Sequence, residues 1–103
     1  MAGNTGVFAG TAAALGTVTG TRGRSVCFKV VTSGSETVSI TGLINGTTVS
    51  SQIMCKSLLT GALHSSVNMD DGTYYLEKVY TDNLIFLGSS TSDTKTVTYL
   101  FVD

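Results

Sequence analysis

The sequence predicts an all-β protein: a single antiparallel sandwich of two sheets, with seven or eight short strands and an extended N-terminal arm. Segments that alternate apolar and polar residues recur at intervals of roughly ten residues, with turn-forming residues between them. No segment sustains the period of a helix, and proline is absent. The length of 103 residues suits one domain.

The composition argues against two classes of partner. Charged residues make up 13% of the chain and the net charge is -1, whereas a nucleic-acid-binding face needs concentrated positive charge. The basic residues are scattered at Arg22, Arg24, Lys29, Lys56, Lys78 and Lys95. No stretch approaches the ~20 apolar residues that span a bilayer. We therefore expect neither nucleic acid nor a membrane as partner.

The first 24 residues differ from the rest, and we predict a flexible arm over residues 1–24 and a sandwich domain over residues 25–103. The arm is rich in Gly, Ala and Thr, whose small side chains bury too little area to offset the entropy lost on ordering. A first edge strand near Thr17–Thr21 is the alternative. The arm residues predicted to contact a partner are Val7, Phe8, Leu15, Val18, Arg22 and Arg24.

The β pattern begins after Ser25. Two alternating runs place apolar side chains on one face, and a third leads into Asn45-Gly46, a strong hairpin signal because a type I′ turn needs positive φ at both positions. The residues predicted to face the core in these runs are Val26, Phe28, Val30, Val38 and Ile40.

The later strands continue the pattern. We predict that Leu63 faces inward and His64 outward, and that the last strand over Lys95–Val102 buries Val97. Between them lies a short run that is apolar on both faces, which is typical of a strand that lies between layers or at an interface. The residues of this predicted interface are Leu84, Ile85, Phe86 and Leu87. The strand count fits an immunoglobulin-like sandwich or a jelly-roll.

The stretch Asp70-Asp71-Gly72-Thr73-Tyr74 combines a tight turn with the start of an aromatic strand. Its Asp-x-Gly-x-Tyr order, carried by Asp70, Gly72 and Tyr74, resembles the tyrosine corner of immunoglobulin-like sandwiches. In that motif the Tyr hydroxyl bonds the chain just upstream. The antibody cysteine two residues later is replaced here by Leu76. The resemblance implies a structural role for these residues.

No catalytic, cofactor or metal site is predicted. His64 has no obvious acid or second histidine nearby in sequence, and no serine lies in a Gly-x-Ser-x-Gly elbow. Cys27 and Cys55 lack the spacing of redox or zinc motifs, and we expect two free thiols, with a disulfide as the alternative. Turn formation explains Asp70 and Asp71 better than calcium binding does.

The order of strands and turns from about Val31 to Val102 resembles small β-sandwich structural proteins of tailed bacteriophages. It consists of Thr-Val-Ser-Ile-Thr-Gly-Leu, Asn-Gly-Thr, Asp-Asp-Gly-Thr-Tyr-Tyr-Leu and Thr-Lys-Thr-Val-Thr-Tyr-Leu. The resemblance implies a non-enzymatic virion protein, assembled in the host cytoplasm, that decorates or cements the capsid. The expected partners are the major capsid protein, other virion proteins and sister copies in a homo-oligomer. The alternative is a carbohydrate- or receptor-binding module of a tail, a fibre or a secreted protein.

Overall fold

The computed structural model describes residues 5–49 and 53–102, which form ten strands and no helix. Residues 1–4 of the predicted arm lie outside this range. The strands are β1 (Thr5–Gly10), β2 (Ala14–Thr19), β3 (Val26–Thr32), β4 (Val38–Ile44), β5 (Thr47–Val49), β6 (Met54–Ser57), β7 (Leu63–Ser65), β8 (Gly72–Leu76), β9 (Asn83–Gly88) and β10 (Lys95–Phe101).

The strands form two sheets, as the sequence predicts. Sheet A has six strands in the order β1-β10-β3-β8-β6-β7, and sheet B has four in the order β2-β9-β4-β5. Every strand pair is antiparallel. The all-β two-sheet sandwich is therefore confirmed, with ten strands instead of seven or eight.

The pairing of the strands shows which sandwich this is. When the β6–β7 hairpin is set aside, β1 pairs with β10, β2 with β9, β3 with β8 and β4 with β5. The chain is thus one long antiparallel ladder folded at the β4–β5 turn, and successive rungs lie in alternate sheets. Eight strands rolled in this way form a jelly-roll. The jelly-roll alternative holds, and the immunoglobulin-like one does not.

The turn at the fold of this ladder is the predicted Asn45-Gly46 hairpin. Asn45 has φ 49° and Gly46 has φ 85°, and the flanking residues Ile44 and Thr47 are paired. Positive φ at both positions is the type I′ geometry whose twist matches that of the strands. The local sequence therefore specifies the turn at which the ladder folds back.

The core lies between the sheets. The predicted inward residues of β3 and β4 are at most 1% exposed, and the Phe28 ring meets the edge of the Phe86 ring at a centroid distance of 5.6 Å. The buried apolar side chains are Val18, Val26, Phe28, Val30, Val38, Ile40, Ile53, Cys55, Met69, Tyr74, Leu76, Val79, Leu84, Phe86, Val97 and Phe101.

The first strands correct the prediction of a flexible arm. β1 pairs with β10 over six residues and β2 pairs with β9, so this segment contributes one strand to each sheet. The glycines that suggested flexibility make room for rings. A Cβ on Gly6 would overlap the Tyr99 ring, and one on Gly16 would overlap the Phe8 ring. Phe8 in turn packs 5.5 Å from Tyr99 and 5.9 Å from Phe86.

The face assignment at β7 is also corrected. Leu63 is 72% exposed, whereas His64 is half-buried opposite the buried Cys55 and meets the edge of the Tyr74 ring at 5.8 Å. An alternating pattern divides the residues of a strand between its two faces, but it does not show which face is covered by the core. An error of one residue therefore assigns every side chain to the wrong face. Leu63 therefore lies on the outer face of sheet A.

A charged side chain lies inside the fold. Lys95 has 0% exposure, and its Nζ atom lies 2.7 Å from Glu36 Oε1 and 2.7–3.1 Å from the carbonyl oxygens of Thr11, Ser90 and Asp93. Burying an ammonium group is costly unless it is paired and hydrogen-bonded. These four oxygens meet that need.

Glu36 is the anionic half of this network. Its Oε2 atom accepts hydrogen bonds from the backbone N–H groups of Ser92 and Asp93 at 2.8 and 2.9 Å. Its own N–H donates to Asp93 Oδ2 at 2.9 Å. The hydrogen bond from Lys95 and these N–H groups hold the pKa of the Glu36 carboxyl below its usual range, against the opposing effect of burial.

Replacing Gly16 with alanine tests the packing of the first two strands. We expect Gly16→Ala to lower the free energy of unfolding by about 1–3 kcal/mol, because the new methyl group overlaps the Phe8 ring. In the double variant with Phe8→Leu, the smaller side chain should make the combined loss smaller than the sum of the single losses. Urea denaturation measures both.

The control for this cycle is Thr17→Ala, at an exposed position of the same strand, which should cost less than about 1 kcal/mol. A Gly16→Ala variant as stable as the parent would contradict the packing of Phe8 against β2.

Replacing Glu36 with glutamine tests the buried ion pair through its pH dependence. The folded-state pKa of Glu36 lies below the ordinary value of 4.5. The carboxylate therefore stabilises the fold above that pH, and this contribution is lost as the pH falls through the lowered pKa. We expect Glu36→Gln to be much less stable than the parent at neutral pH, and the difference to shrink in acid. Urea denaturation at about pH 7 and about pH 3 measures it.

The exposed Glu77 supplies the control, because Glu77→Gln should change stability by less than about 0.5 kcal/mol. If the difference in free energy of unfolding between the parent and Glu36→Gln is the same at both pH values, the charge of the carboxylate does not contribute to stability.

Candidate docking surface

Three of the predicted contact residues lie in the core. Val18, Leu84 and Phe86 are 4%, 0% and 0% exposed, so in this fold they pack between the sheets and present no side chain to a partner. In the run 84–87, Leu84 and Phe86 point to the inner face of sheet B, whereas Ile85 and Leu87 are half-buried on its other face. The prediction of a contact at these three positions is corrected accordingly.

The other predicted contact residues are spread over the molecule. Phe8 and Leu15 are partly buried against the core, and Ile85 and Leu87 are half-buried on the outer face of sheet B. Val7 differs, because it lies 60% exposed on the outer face of sheet A.

The two predicted arginines have contacts within the chain. Arg22 forms an exposed ion pair with Asp82 at 2.8 Å. The guanidinium of Arg24 lies 3.8 Å from the centre of the Phe101 ring. Both therefore help to hold the segment between β2 and β3 against the fold, and the structure does not gather the predicted residues into one site.

The outer face of sheet A carries an apolar row that crosses all six strands. Strand register places six side chains side by side along it, over roughly 24 Å at the usual strand spacing. In strand order from β1 to β7 the row is Thr5, Leu100, Cys27, Tyr75, Lys56 and Leu63. Cys27 and Tyr75 each lie between two buried residues, so this row points away from the core, and the pairing register places its other members on the same face.

Further exposed apolar residues extend this row. Leu59 is 85% exposed and Leu58 is 52% exposed in the loop after β6, where the Leu58 N–H donates to the Thr73 carbonyl at 2.9 Å. Val31 and Met54 are exposed on the strands themselves. We call this surface the sheet A face; its exposed apolar residues are Val7, Val31, Met54, Leu58, Leu59, Leu63 and Leu100.

Two shallow depressions mark one side of the sheet A face. The first holds about 360 Å³ and is lined by Met54, Lys56, Leu63, Tyr75 and Glu77. The second holds about 320 Å³ and is lined by Leu58, Leu59, Gly72 and Thr73. Charge on the face is sparse: the cations Lys29 and Lys56 and the anion Glu77. Such a surface suits an apolar contact more than an ionic one.

The corner residues form the local bond that the sequence suggested. The hydroxyl of Tyr74 donates to the carbonyl of Asp70 at 2.8 Å, and the ring stacks on Phe28 at 5.4 Å. Burial raises the pKa of the Tyr74 hydroxyl, with a smaller effect of nearby Cys55, Asp70 and Asp71. The hydroxyl thus remains a donor. Because the fold is a jelly-roll, this bond does not indicate an immunoglobulin-like protein.

The two cysteines are free thiols. Cys27 lies half-buried on the outer face of sheet A, whereas Cys55 is 1% exposed and faces the core, so the two point to opposite sides. The Cys55 Sγ atom lies 3.6 Å from Met69 Sδ. Burial raises the pKa of Cys55 to about 11, which leaves almost no thiolate at neutral pH.

The histidine and three of the carboxylates form contacts within the protein. The Nδ1 atom of His64 contacts the carbonyl of Ser65. Asp71 Oδ1 accepts hydrogen bonds from the Thr32 N–H and hydroxyl groups, and Asp82 and Asp93 are engaged as described above. Within residues 5–49 and 53–102, no three His, Cys, Asp or Glu side chains cluster as metal ligands would.

The described part of the chain contains no helix long and apolar enough to cross a membrane.

Fold and surface together define a small jelly-roll domain with an exposed apolar sheet face. A similar fold is found in the crystal structure of the SPBc2 prophage-derived protein YomS, with a TM-score of 0.68. The two sequences are 14% identical, and the alignment covers 94% of this chain and 92% of the YomS chain. At this identity the likeness shows a shared fold. No protein-family model and no curated protein matches the sequence.

The sequence contained only part of the signal for the sheet A face. Leu58 and Leu59 are visible in the sequence only as two adjacent leucines, and alternation predicts that Leu63 faces the core. Their place on one surface depends on β6 pairing with β8, and not with the preceding β5. An unusually apolar loop between two strands was the one available clue.

Replacing Tyr74 with phenylalanine measures the worth of the corner bond. We expect Tyr74→Phe to lower the free energy of unfolding by about 1 kcal/mol, the usual net value of a buried hydrogen bond. Tyr80→Phe, at an exposed tyrosine, is the control and should stay within about 0.5 kcal/mol of the parent. Equal stability of the parent and Tyr74→Phe would mean that the bond contributes nothing.

Proposed function

We propose that this protein is a non-enzymatic structural component of a bacteriophage particle, most specifically a decoration or cement protein that binds the capsid surface. The observation that carries the proposal is the sheet A face. It presents several exposed apolar side chains on a rigid sheet, and contiguous exposed apolar surface on a small soluble domain marks a contact site.

The sheet A face has the properties of a docking surface. Its row of side chains is held in register by continuous strand pairing from β1 to β7, so little side-chain and backbone entropy remains to be lost on binding. Leu59 and Leu63 are the most exposed leucines and lie beside the two depressions. A complementary partner would bury them as anchors.

Two lines of support favour a phage particle as the partner. The strand and turn order resembles small structural proteins of tailed phages, and YomS, which has a similar fold, is a prophage-derived protein. The jelly-roll also recurs in viral capsid domains. This is analogy at the level of the fold, so the function rests on the surface and its test.

The non-enzymatic part of the proposal is supported by the state of the reactive groups. Cys55 is buried with a raised pKa, and the one histidine contacts a backbone carbonyl. No pair of nucleophile and base is formed by these groups. The proposed location is the virion, after assembly in the host cytoplasm.

The alternative is a carbohydrate- or receptor-binding module, and one observation favours it. Tyr75 lies in the first depression with Lys56 and Glu77, a grouping that offers an aromatic surface and hydrogen-bonding groups to a sugar. The other tyrosines do not extend it, because Tyr74 is buried and Tyr80 lies outside that lining. We therefore favour a protein partner.

Binding of variants to particles assembled without this protein tests the proposal. We expect Leu63→Asp and Leu59→Asp each to weaken binding by roughly tenfold or more, as hot-spot anchors do, while the fold is retained because both side chains are exposed. Thr17→Asp, an exposed position in sheet B, is the matched control and should bind like the parent. Co-sedimentation with the particles measures the bound fraction.

If both leucine variants bind the particles as tightly as the parent does, the sheet A face is not the contact surface. Absence of particle binding by the parent, together with binding to a glycan array that Tyr75→Ala abolishes, would favour the alternative function.

A further inference from the structure

Each sheet of the sandwich ends in two edge strands, and two of these four carry a feature that hinders pairing with another chain. β7 comprises only three residues. β2 has a shift in its register between Ala14 and Gly16. Short edges and bulges are common means by which proteins prevent the addition of further strands.

β1 has none of these features. Its six residues pair with β10 in unbroken register, from Thr5 opposite Leu100 to Gly10 opposite Lys95. It contains no proline and no charged residue, and no charge occurs anywhere from Thr5 to Thr21. As the end strand of sheet A, it directs the backbone groups of one side away from the sheet. β1 is therefore a neutral edge with unbroken pairing on its other side.

We propose that β1 is an interface between copies of this chain. Two β1 strands pair antiparallel about a two-fold axis perpendicular to sheet A, and the two six-stranded sheets become one continuous sheet. The contact is isologous, so the same edge serves both partners. Main-chain hydrogen bonds supply the affinity, as in other cases of strand addition.

The absence of charge on β1 permits pairing with a second copy. A neutral edge meets an identical neutral edge without like-charge repulsion, which is the cost that ordinarily prevents self-pairing. The nearest lysine on the outer face is Lys29, on the third strand from the edge. Across the joined edges the two Lys29 side chains lie about five strand spacings, roughly 24 Å, apart, which exceeds the Debye length at physiological salt.

The faces of the sheet restrict the register. Residues directly opposite each other in an antiparallel pair point to the same face. Odd-numbered residues of β1 face outward and even-numbered ones inward, so outward residues must meet outward residues. The register centred on the exposed Val7 satisfies this condition and places Val7 opposite Val7 of the partner copy.

The size of the contact predicts its strength. Stable interfaces involve about 20–30 residues a side, whereas β1 contributes six residues and its immediate neighbours. The free protein therefore dimerises weakly, and the contact becomes significant where copies are held close together. The two sheet A faces of such a dimer lie on the same side and bind a common surface with increased avidity.

This inference names a surface for the contact between sister copies that the sequence analysis expects, and it rests on the proposed function for its setting on a particle. Its test uses the purified chain without particles, so its failure is distinguishable from a failure of particle binding.

Sedimentation velocity over a range from micromolar to millimolar protein tests the pairing. We expect the parent to sediment faster as its concentration rises and Val7→Lys to sediment as a monomer throughout, because the variant places a charge on the edge. Val7 is 60% exposed, so the fold should be retained. Leu59→Lys, which adds the same charge away from β1, is the control and should associate like the parent.

Cysteine cross-linking tests the register in a Cys27→Ser background, which leaves only the buried Cys55. Val7→Cys should form a covalent dimer under mild oxidation, at least tenfold faster than Leu59→Cys. A parent that remains monomeric at every concentration would overturn the proposal. Association that persists unchanged in Val7→Lys, or equal cross-linking at positions 7 and 59, would also overturn it.

Discussion

The buried ammonium group of Lys95 is the interaction on which one end of the sandwich depends. In a rolled ladder the chain crosses repeatedly between sheets, and three of those crossings, β1 to β2, β3 to β4 and β9 to β10, come together around this group. Its partners come from each of them: Thr11 from the first, Glu36 from the second, and Ser90 and Asp93 from the third. One charge thus organises three loops that bury no apolar side chain of their own. The opposite end is held by the exposed ion pair of Arg22 with Asp82 and by the buried hydrogen bond from the Thr21 hydroxyl to the Thr81 carbonyl at 2.8 Å.

Much of the fold could be predicted from the sequence because its information is local. Alternation marks β3, β4 and β10, and Asn45-Gly46 marks the turn about which the ladder folds. Lys95 shows the limit of this reasoning. It has the same parity as the buried Val97, but a lysine at the start of a strand is usually solvated, and nothing local indicates that Glu36 and three carbonyl groups will surround it. The glycines of the first two strands were misinterpreted for a similar reason. Gly6 and Gly16 are required by the rings of Tyr99 and Phe8, which lie far away in the sequence or on another strand.

The candidate surface was less predictable than the fold. A docking face depends on which strands are neighbours, and strand order in a sandwich follows from tertiary packing. Of the residues predicted as contacts, Val7 lies on the sheet A face, whereas Leu84 and Phe86 belong to the core because they lie on the face of sheet B that packs against sheet A. Leu63 was assigned to the wrong side, since alternation is symmetric with respect to the two faces of a strand.

The pairing of β1 with β10 has a consequence for how the protein is made. Thr5 pairs with Leu100, which lies much later in the chain, so β1 leaves the ribosome long before the strand that pairs with it. Contacts of such separation form slowly, because the entropy of closing the loop is lost before the pairing compensates for it. Until β10 has been synthesised, β1 is a neutral strand with both edges open. Nascent chains on neighbouring ribosomes therefore carry matching unpaired strands, and the order of synthesis itself creates a period of exposure to misassembly.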